Sequence, residues 1–189
     1  MIDYSLYLVT DEGYPYLLSR LQKVLDEQPV TLVQYRAKHK TLGEQIKEAT
    51  VLKKVCDEHK IPLIVDDGVD VAIAVGAAGV HLGQDDMPCR EARAILGPDK
   101  IIGITVHNVD QALEAQRDGA DYLGAGAVYS TATKKDVDVM GLKLLGQICC
   151  SVTIPVVGIG GINFENREEV LRQGAKGVAM VTALLGKLC

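Results

Sequence analysis

Short apolar runs recur along the chain and alternate with segments whose apolar residues follow helical spacing. Eight runs rich in β-branched or other apolar residues occupy positions 6–10, 32–36, 62–66, 79–83, 101–106, 122–128, 155–160 and 177–182. Runs with so little polar interruption are typical of parallel strands that are buried on both faces. The pattern therefore predicts eight buried strands in an α/β protein.

The segments between the runs carry the signals of helices that pack one face on a core. In residues 16–27 the apolar spacing predicts a buried face made of Leu17, Leu18, Leu21, Val24 and Leu25. Residues 108–119 begin on Asn108, whose side chain can cap a helix, and end on Gly119, which suits a helix C-terminus. Strand and helix thus alternate throughout.

Eight strand and helix units close naturally into a barrel, and we predict a single (β/α)8 TIM-barrel domain over residues 1–189. An open doubly wound sheet is the main alternative, but that fold carries a G-x-G-x-x-G turn after its first strand. Here the glycine-rich turn, residues 158–161, lies at the end of the seventh run. After the eighth run only residues 183–189 remain, which predicts a shortened C-terminal helix that leaves some apolar barrel surface uncovered.

The composition narrows the class of protein. With 189 residues, 48% of them hydrophobic, the chain can bury one continuous core. A net charge of −5 with scattered lysines and arginines argues against nucleic-acid binding. Without a signal-peptide pattern or an apolar run of ~18–20 residues, we expect a cytoplasmic protein with no membrane partner. The five cysteines lack zinc-ligand spacing, and we expect reduced thiols.

Acidic side chains gather where two neighbouring predicted strands end, which is where TIM barrels build their active sites. Asp67 and Asp86 follow the third and fourth runs, and a pair of carboxylates suits a hard cation such as Mg²⁺. The same aspartates also precede predicted helices, so helix capping is an open alternative. The acidic pair therefore predicts either a magnesium site or two helix caps.

Basic side chains accompany the acidic pair. Gln34, Arg36 and Lys38 alternate along the second run, so they share one face if the strand continues that far. Together with Lys134, which follows the sixth run, the cations would neutralise a pyrophosphate. Lys38 alone could equally face solvent, whereas a guanidinium directly after an apolar strand suits phosphate oxygens.

Glycine-rich backbone marks a third group at the same end of the barrel. Gly158, Gly160 and Gly161 lie at the end of the seventh run, while Val181 and Thr182 end the eighth. Exposed N–H groups at these positions bind a phosphate monoester in such barrels, although tight turns alone would also need the glycines. We favour the phosphate site.

Two histidines, His81 and His107, also lie near strand ends. A histidine at a barrel rim is more often packed and bonded to backbone than chemically active, and we expect that role for both. The pattern pairs no serine, threonine or cysteine with a base, so we predict no protein nucleophile.

The motifs at the strand ends, taken together, resemble the thiamine phosphate synthase family. They run in order through almost the whole chain: LYLVTD (6–11), VQYRAK (33–38), IVDDGVDVAIAVGAAGVHLGQDDMP (64–88), GITVHN (103–108), DYLGAGAVYSTATKKD (121–136), IPVVGIGGIN (154–163) and GAKGVAMVTAL (174–184). The GIGGI turn alone is shared by many phosphate-binding barrels, but the set is specific. The resemblance implies a transferase of thiamine biosynthesis built on a (β/α)8 barrel.

The resemblance further implies two small phosphorylated substrates, hydroxymethylpyrimidine pyrophosphate and a thiazole phosphate, with Mg²⁺ as the metal. In the family, pyrophosphate leaves first and the thiazole nitrogen then captures the pyrimidine-methyl cation. Carried over by position, the residues for the pyrimidine pyrophosphate are Gln34, Arg36, Lys38, Asp66, Thr105 and Lys134. Those for the thiazole phosphate are Thr131, Thr133, Gly161, Val181 and Thr182, and those for the metal are Asp67 and Asp86.

The chain departs from the family pattern at Asp66, where Asn is usual. Two alternative functions are a thiazole tautomerase of the same superfamily and a non-catalytic sensor of a phosphorylated ligand. The tautomerase tends to lack the metal aspartates and the Thr-x-Thr-Lys-Lys run, both of which are present here. A sensor would leave the acidic and basic groups without a role. The sequence leaves homo-oligomerisation open.

Overall fold

The computed structural model describes residues 2–130 and 138–186, in which eight strands alternate with eight helices. The strands are β1 (Leu6–Val9), β2 (Leu32–Tyr35), β3 (Leu63–Asp66), β4 (Gly79–Leu82), β5 (Ile101–Val106), β6 (Tyr122–Ala125), β7 (Val156–Ile159) and β8 (Gly177–Met180). The helices are α1 (Leu17–Glu27), α2 (Leu42–Glu58), α3 (Val69–Val75), α4 (Cys89–Leu96), α5 (Val109–Arg117), α6 (Gly141–Ser151), α7 (Arg167–Arg172) and α8 (Thr182–Leu185). Each predicted run contains one strand.

The strands form one closed parallel barrel. Each strand pairs with the next one along the chain, and β8 returns to pair with β1. The arrangement confirms the predicted TIM barrel and rules out the open doubly wound sheet. Within the described ranges, none of the helices has the length and apolar character needed to span a membrane.

Alternation along the strands divides the apolar side chains between two cores. The inner core fills the barrel and consists of Tyr4, Tyr7, Val9, Leu32, Ile64, Tyr122, Val157 and Ala179. Strand residues of the other parity face outward and pack beneath the helices. The inward parity of Leu32 and Ile64 continues to Gln34 and Asp66, which therefore face the mouth of the barrel.

The structure confirms most of the buried face predicted for helix α1. Leu17, Leu21, Val24 and Leu25 are buried, but Leu18 is 40% exposed, so the prediction for Leu18 is wrong. Successive residues of an α-helix are rotated by about 100°, so Leu18 lies at the edge of the buried face that contains Leu17.

Helix ends follow the sequence signals at α5 and stay short at α8. The side chain of Asn108 accepts a hydrogen bond from the Gln111 N–H at 2.9 Å, and Gly119 has a φ of 94°, as the predicted cap and stop require. Helix α8 has only four residues, which confirms the shortened last helix in the described part of the chain.

Cysteines are free thiols wherever the structure describes them. Cys56 and Cys89 are buried, Cys149 is half-buried and Cys150 is exposed. Burial raises the pKa of the Cys56 thiol to about 12. The prediction of reduced thiols is confirmed for these four, while Cys189 lies outside the described residues.

Candidate active site

A cavity of about 770 Å³ opens at the carboxyl ends of the strands, and its volume is typical of sites for small molecules. Its two sides differ in chemistry. One side, the charged half, follows strands β1 to β4 and contains Asp11, Arg36, Lys38, Asp66, Asp67 and Asp86. The other side, the backbone half, follows β7 and β8 and contains Gly160, Gly161, Val181 and Thr182.

Arg36 is held in the charged half by the segment that follows β1. Strand β2 ends one residue earlier, and the Arg36 N–H donates to the Thr10 hydroxyl oxygen at 3.0 Å. The guanidinium Nη1 donates to Asp11 Oδ2 at 3.1 Å, with the Arg36 side chain only 19% exposed. These contacts fix the cation at the rim, where its fork can meet an anion.

Asp66 lies between the two cations of the charged half. Its Oδ2 is 3.6 Å from Arg36 Nε and 3.3 Å from Lys38 Nζ. The side chain is 10% exposed, and within the described residues this buried oxygen has ion pairs but no partner in hydrogen-bond geometry. Asp66 therefore compensates part of the positive charge of Arg36 and Lys38, which the sequence analysis predicts to bind a pyrophosphate.

Asp67 adopts an unusual backbone conformation next to Asp66. Its φ of 59° lies in the left-handed region, which is uncommon for a residue other than glycine and is often found at functional sites. The Asp67 N–H donates to the His81 carbonyl oxygen at 2.8 Å. The resulting turn brings the carboxylate to Lys38, whose ammonium donates a hydrogen bond to it, and close enough to Asp86 for that side chain to raise the pKa of Asp67.

The charges and burial in this cluster raise the pKa values of both Lys38 and Asp67. Burial raises the pKa of Asp67 to about 6, the charge of Asp66 adds to that rise, and Lys38 opposes it. Burial alone would lower the pKa of Lys38, but the hydrogen bond to Asp67 and the charges of both aspartates raise it above its ordinary value. Lys38 therefore does not fully offset the effects of burial and of the Asp66 charge on Asp67.

Neither Asp67 nor Asp86 caps a helix. Helix α3 begins after Gly68 and α4 after Pro88, and at neither start does a backbone N–H donate to a capping side chain. Asp86 instead accepts a hydrogen bond from the Gly83 N–H at 2.7 Å within its own loop. The capping alternative is therefore wrong for both aspartates.

Asp67 and Asp86 fit a Mg²⁺ ion by the chemistry of their oxygens. In residues 2–130 and 138–186, no cluster of three or more His, Cys, Asp or Glu side chains is arranged to hold a metal. Mg²⁺ needs fewer, because it usually binds through one or two carboxylates, several waters and substrate phosphates. Asp86 helps to raise the pKa of Asp67, as expected of neighbouring carboxylates that are short of positive charge, and a divalent cation would supply that charge.

The turn after β7 brings bare backbone to the cavity. Gly160 and Gly161 have φ values of 98° and 65°, a region in which side chains are strained. A Cβ on Gly161 would lie 2.5 Å from the Ser130 carbonyl oxygen, so the close approach also requires glycine. The Asn166 amide donates to the Gly161 carbonyl oxygen at 3.0 Å and holds the turn in place.

The end of β8 completes the backbone half. Val181 and Thr182 lie at the start of α8, and the Thr182 hydroxyl oxygen accepts a hydrogen bond from Tyr14 at 3.3 Å. Gly158 lies elsewhere, because a Cβ there would be 2.5 Å from Val170 on the outer face of the barrel. The predicted phosphate site thus keeps Gly160, Gly161, Val181 and Thr182 but not Gly158.

The remaining predicted residues fall into three sets. Gln34 and Thr105 line the inner wall of the cavity. His107 Nδ1 bonds to the Gly126 carbonyl oxygen at 2.8 Å, which confirms its backbone role, whereas His81 contacts two side chains. The predicted ligands Thr131, Thr133 and Lys134 lie outside the described residues.

Sequence reasoning missed several residues that line the cavity. Thr10 and Asp11, which orient Arg36, follow β1 directly, so the strand-end signal that found Arg36 could also have found them. Tyr7 and Tyr122 lie deeper, inside the barrel; both fall within quoted motifs, at 6–11 and 121–136, but nothing in those motifs assigned them a role.

Comparison with known proteins finds consistent relatives. A family model for thiamine monophosphate synthase matches residues 6–184. A thiamine-phosphate synthase of Clostridium acetobutylicum is 48% identical over 188 aligned residues, which cover 97% of this chain and 88% of the relative. One of Ruminiclostridium cellulolyticum is 43% identical over 190 aligned residues, covering 98% of this chain and 90% of the relative. Thiamine phosphate pyrophosphorylase from Pyrococcus furiosus has a solved structure with a TM-score of 0.91 and 41% identity, covering 98% of this chain and 89% of that one.

Proposed function

The chain belongs to the thiamine monophosphate synthase family, and we propose that it joins hydroxymethylpyrimidine pyrophosphate to a thiazole phosphate. The products are thiamine phosphate and pyrophosphate. The observation that carries this proposal is the presence of the charged half and the backbone half in one cavity. The charged half suits a pyrophosphate and the backbone half suits a phosphate monoester, so the reacting ends of the two substrates would meet between them.

The charged half supports departure of the pyrophosphate. Arg36 and Lys38 are positioned at the rim to bind its oxygens, and Thr10 and Asp11 keep the guanidinium oriented. The bond between the pyrimidine methylene carbon and the pyrophosphate oxygen breaks, and its electron pair leaves with the pyrophosphate. Fixed cations stabilise this developing charge more than water does, because they need no reorientation during the step.

Capture by the thiazole completes the reaction without help from a protein nucleophile. The lone pair of the thiazole nitrogen forms the new bond to the methylene carbon, and no proton has to be removed. The described lining of the cavity offers cations, carboxylates and backbone to the two substrates. Its Thr105 hydroxyl, which lies 2.9 Å from His81 Nε2, has no covalent step to perform in this substitution. We therefore assign the protein the tasks of binding, orientation and charge stabilisation.

Asp67 and Asp86 would hold Mg²⁺ beside the pyrophosphate. The ion would supply positive charge for the leaving group when bound. Lys38 and Arg36 would remain next to it, since both already contact Asp66 on the neighbouring strand end. Location in the cytoplasm and any homo-oligomer stay predictions.

The test is a reconstitution with the purified chain, both substrates and Mg²⁺, followed by separation of the products. We expect thiamine phosphate and an equal amount of pyrophosphate, and no product after a chelator is added. Absence of product in the complete mixture would overturn the proposed function. Full activity with chelator present would overturn the assignment of Asp67 and Asp86 to a metal. Isomerisation of the thiazole alone would favour the tautomerase alternative.

A further inference from the structure

A chain of hydrogen bonds crosses the barrel at the floor of the cavity and joins five of its lining residues. Gln34 Nε2 donates to Tyr7 Oη at 2.9 Å, and Tyr7 Oη lies 2.8 Å from Tyr122 Oη. Tyr122 Oη lies 2.8 Å from His81 Nδ1, and His81 Nε2 lies 2.9 Å from Thr105 Oγ1. The chain therefore links side chains from five strands, β2, β1, β6, β4 and β5, in that order.

The barrel is built to admit this chain. Strand pairing sets His81 beside Gly103 and Thr105 beside Gly124. A Cβ on Gly103 would lie 2.1 Å from Tyr122 Cζ, and a Cβ on Gly124 would lie 2.9 Å from His81 Cε1. Two glycines thus clear the space that the tyrosine and histidine rings occupy. Such clearance indicates a specific arrangement rather than loose filling of the core.

The donors along the chain run in one direction. Tyr7 and Tyr122 are buried, and burial raises the pKa of both phenols well above the ordinary value, so each keeps one proton to donate. Because Tyr7 accepts from Gln34, its own proton goes to Tyr122, and the Tyr122 proton then goes to His81 Nδ1. A neutral imidazole that accepts at Nδ1 carries its proton on Nε2, from which it donates to Thr105.

The direction of the chain fixes what its two ends can offer to a ligand. At one end Gln34 uses its amide nitrogen inside the barrel, which leaves its carbonyl oxygen as an acceptor in the cavity. At the other end Thr105 accepts from His81, which leaves the hydroxyl proton to donate into the cavity. Polar groups fixed by a connected network recognise a ligand at a lower entropic cost than free ones.

We propose that Tyr7, Tyr122 and His81 are positioning residues that make Gln34 an acceptor and Thr105 a donor toward the heterocycle of the first substrate. The heterocycle would be an aminopyrimidine, which carries both an amino donor and ring-nitrogen acceptors. This assignment deepens the proposed function and rests on it for the identity of the ligand. The direction of the chain is a property of the protein alone and can be tested separately.

The first test reads the chain without any substrate. In protein labelled with ¹⁵N at histidine, His81 is assigned by comparison with His81→Gln, and we expect a proton on Nε2 and none on Nδ1. Tyr122→Phe removes the donor to Nδ1 and should shift the His81 ring signals. The control is Tyr4→Phe, which removes a hydroxyl outside the chain from a ring that packs 4.8 Å from the Tyr122 ring. A proton on Nδ1, or an unchanged His81 after Tyr122→Phe, would overturn the proposal.

The second test measures steady-state kinetics with both substrates. Tyr7→Phe and Tyr122→Phe should each raise the KM for the pyrimidine pyrophosphate about tenfold. Each removes a hydroxyl from the chain, and the expected rise corresponds to the loss of about one hydrogen bond. The KM for the thiazole phosphate should stay unchanged, as should both values in Tyr4→Phe. Equal changes in both KM values, or the same change in Tyr4→Phe, would indicate a merely structural role. If the unaltered protein forms no thiamine phosphate, the proposed function fails while the histidine spectra still decide the direction of the chain.

Discussion

The two halves of the cavity bind anions by different means. In the charged half, Arg36 and Lys38 offer full positive charges that Asp66 partly compensates. In the backbone half, Gly160 and Gly161 form a turn at positive φ that brings bare backbone to the cavity wall. A group that leaves with growing negative charge needs the first kind of site, whereas a phosphate that only anchors its substrate needs the second.

The difference also determines how each half can be disrupted. The charged half depends on side-chain charge, so isosteric substitutions there change chemistry while leaving shape intact. The backbone half depends on room and conformation, so adding a single methyl group disrupts it. Four substitutions exploit this contrast, and they follow in order of decreasing expected effect.

Asp67→Asn should have the largest effect, because Asp67 is one of two carboxylates that we propose to hold Mg²⁺ beside the leaving pyrophosphate. We expect kcat to fall by about a hundredfold or more at saturating substrates. The matched control is Asp70→Asn, which removes an exposed carboxylate from the first turn of α3. A near-normal kcat in Asp67→Asn would remove this residue from the metal site.

Arg36→Lys keeps the charge but loses the planar fork that can bind two phosphate oxygens at once. We expect the KM for the pyrimidine pyrophosphate to rise about thirtyfold, with little change in the KM for the thiazole phosphate. Arg90→Lys alters a guanidinium that pairs with Asp118 at the surface and should change neither value. An unchanged KM in Arg36→Lys would show that the guanidinium serves only to pair with Asp11 and Asp66.

Gly161→Ala should act on the other substrate. The new Cβ would meet the Ser130 carbonyl oxygen at 2.5 Å, so the turn must move, and we expect the KM for the thiazole phosphate to rise about tenfold. Gly76→Ala is the control, because Gly76 has a φ of 67° but open space around its Cβ position. Both variants carry the same backbone strain. An equal rise in the control would mean that strain alone explains the result.

Asp66→Asn should have the smallest effect and the opposite sign. The substitution removes the negative charge that Asp66 places 3.6 Å from Arg36 Nε and 3.3 Å from Lys38 Nζ. The positive charges of Arg36 and Lys38 are then less compensated and attract the pyrophosphate more strongly. We expect the KM for the pyrimidine pyrophosphate to fall about threefold. The control is Asp57→Asn, which breaks a distant surface pair with Lys53. A raised KM would show that Asp66 is needed as an ion-pair partner.

The barrel and the charged half could be predicted from sequence because residue type and position suffice for both. Apolar runs in alternation with helical segments allow few architectures, and a cation such as Arg36 directly after a buried strand has to face the barrel rim. Leu18 was misassigned because helical spacing fixes a face only to within about one residue at its edge.

The pairings inside the site could not be predicted, since they depend on how strands align. The contact of Asp66 with Arg36 follows from the register in which Tyr35 opposes Val65. The chain through Tyr7 and Tyr122 joins residues 115 positions apart and depends on space cleared by glycines on other strands. The positive φ of Asp67 could not be predicted either. Glycine is the residue expected at positive φ, and the sequence places a glycine at position 68 instead.

One kinetic comparison tests the division of the cavity most directly: the KM values of both substrates, measured side by side in Arg36→Lys and Gly161→Ala. Two separate anion sites predict that Arg36→Lys raises only the KM for the pyrimidine pyrophosphate, while Gly161→Ala raises only the KM for the thiazole phosphate. If both variants raise the same KM, the two halves serve one substrate and the division is contradicted.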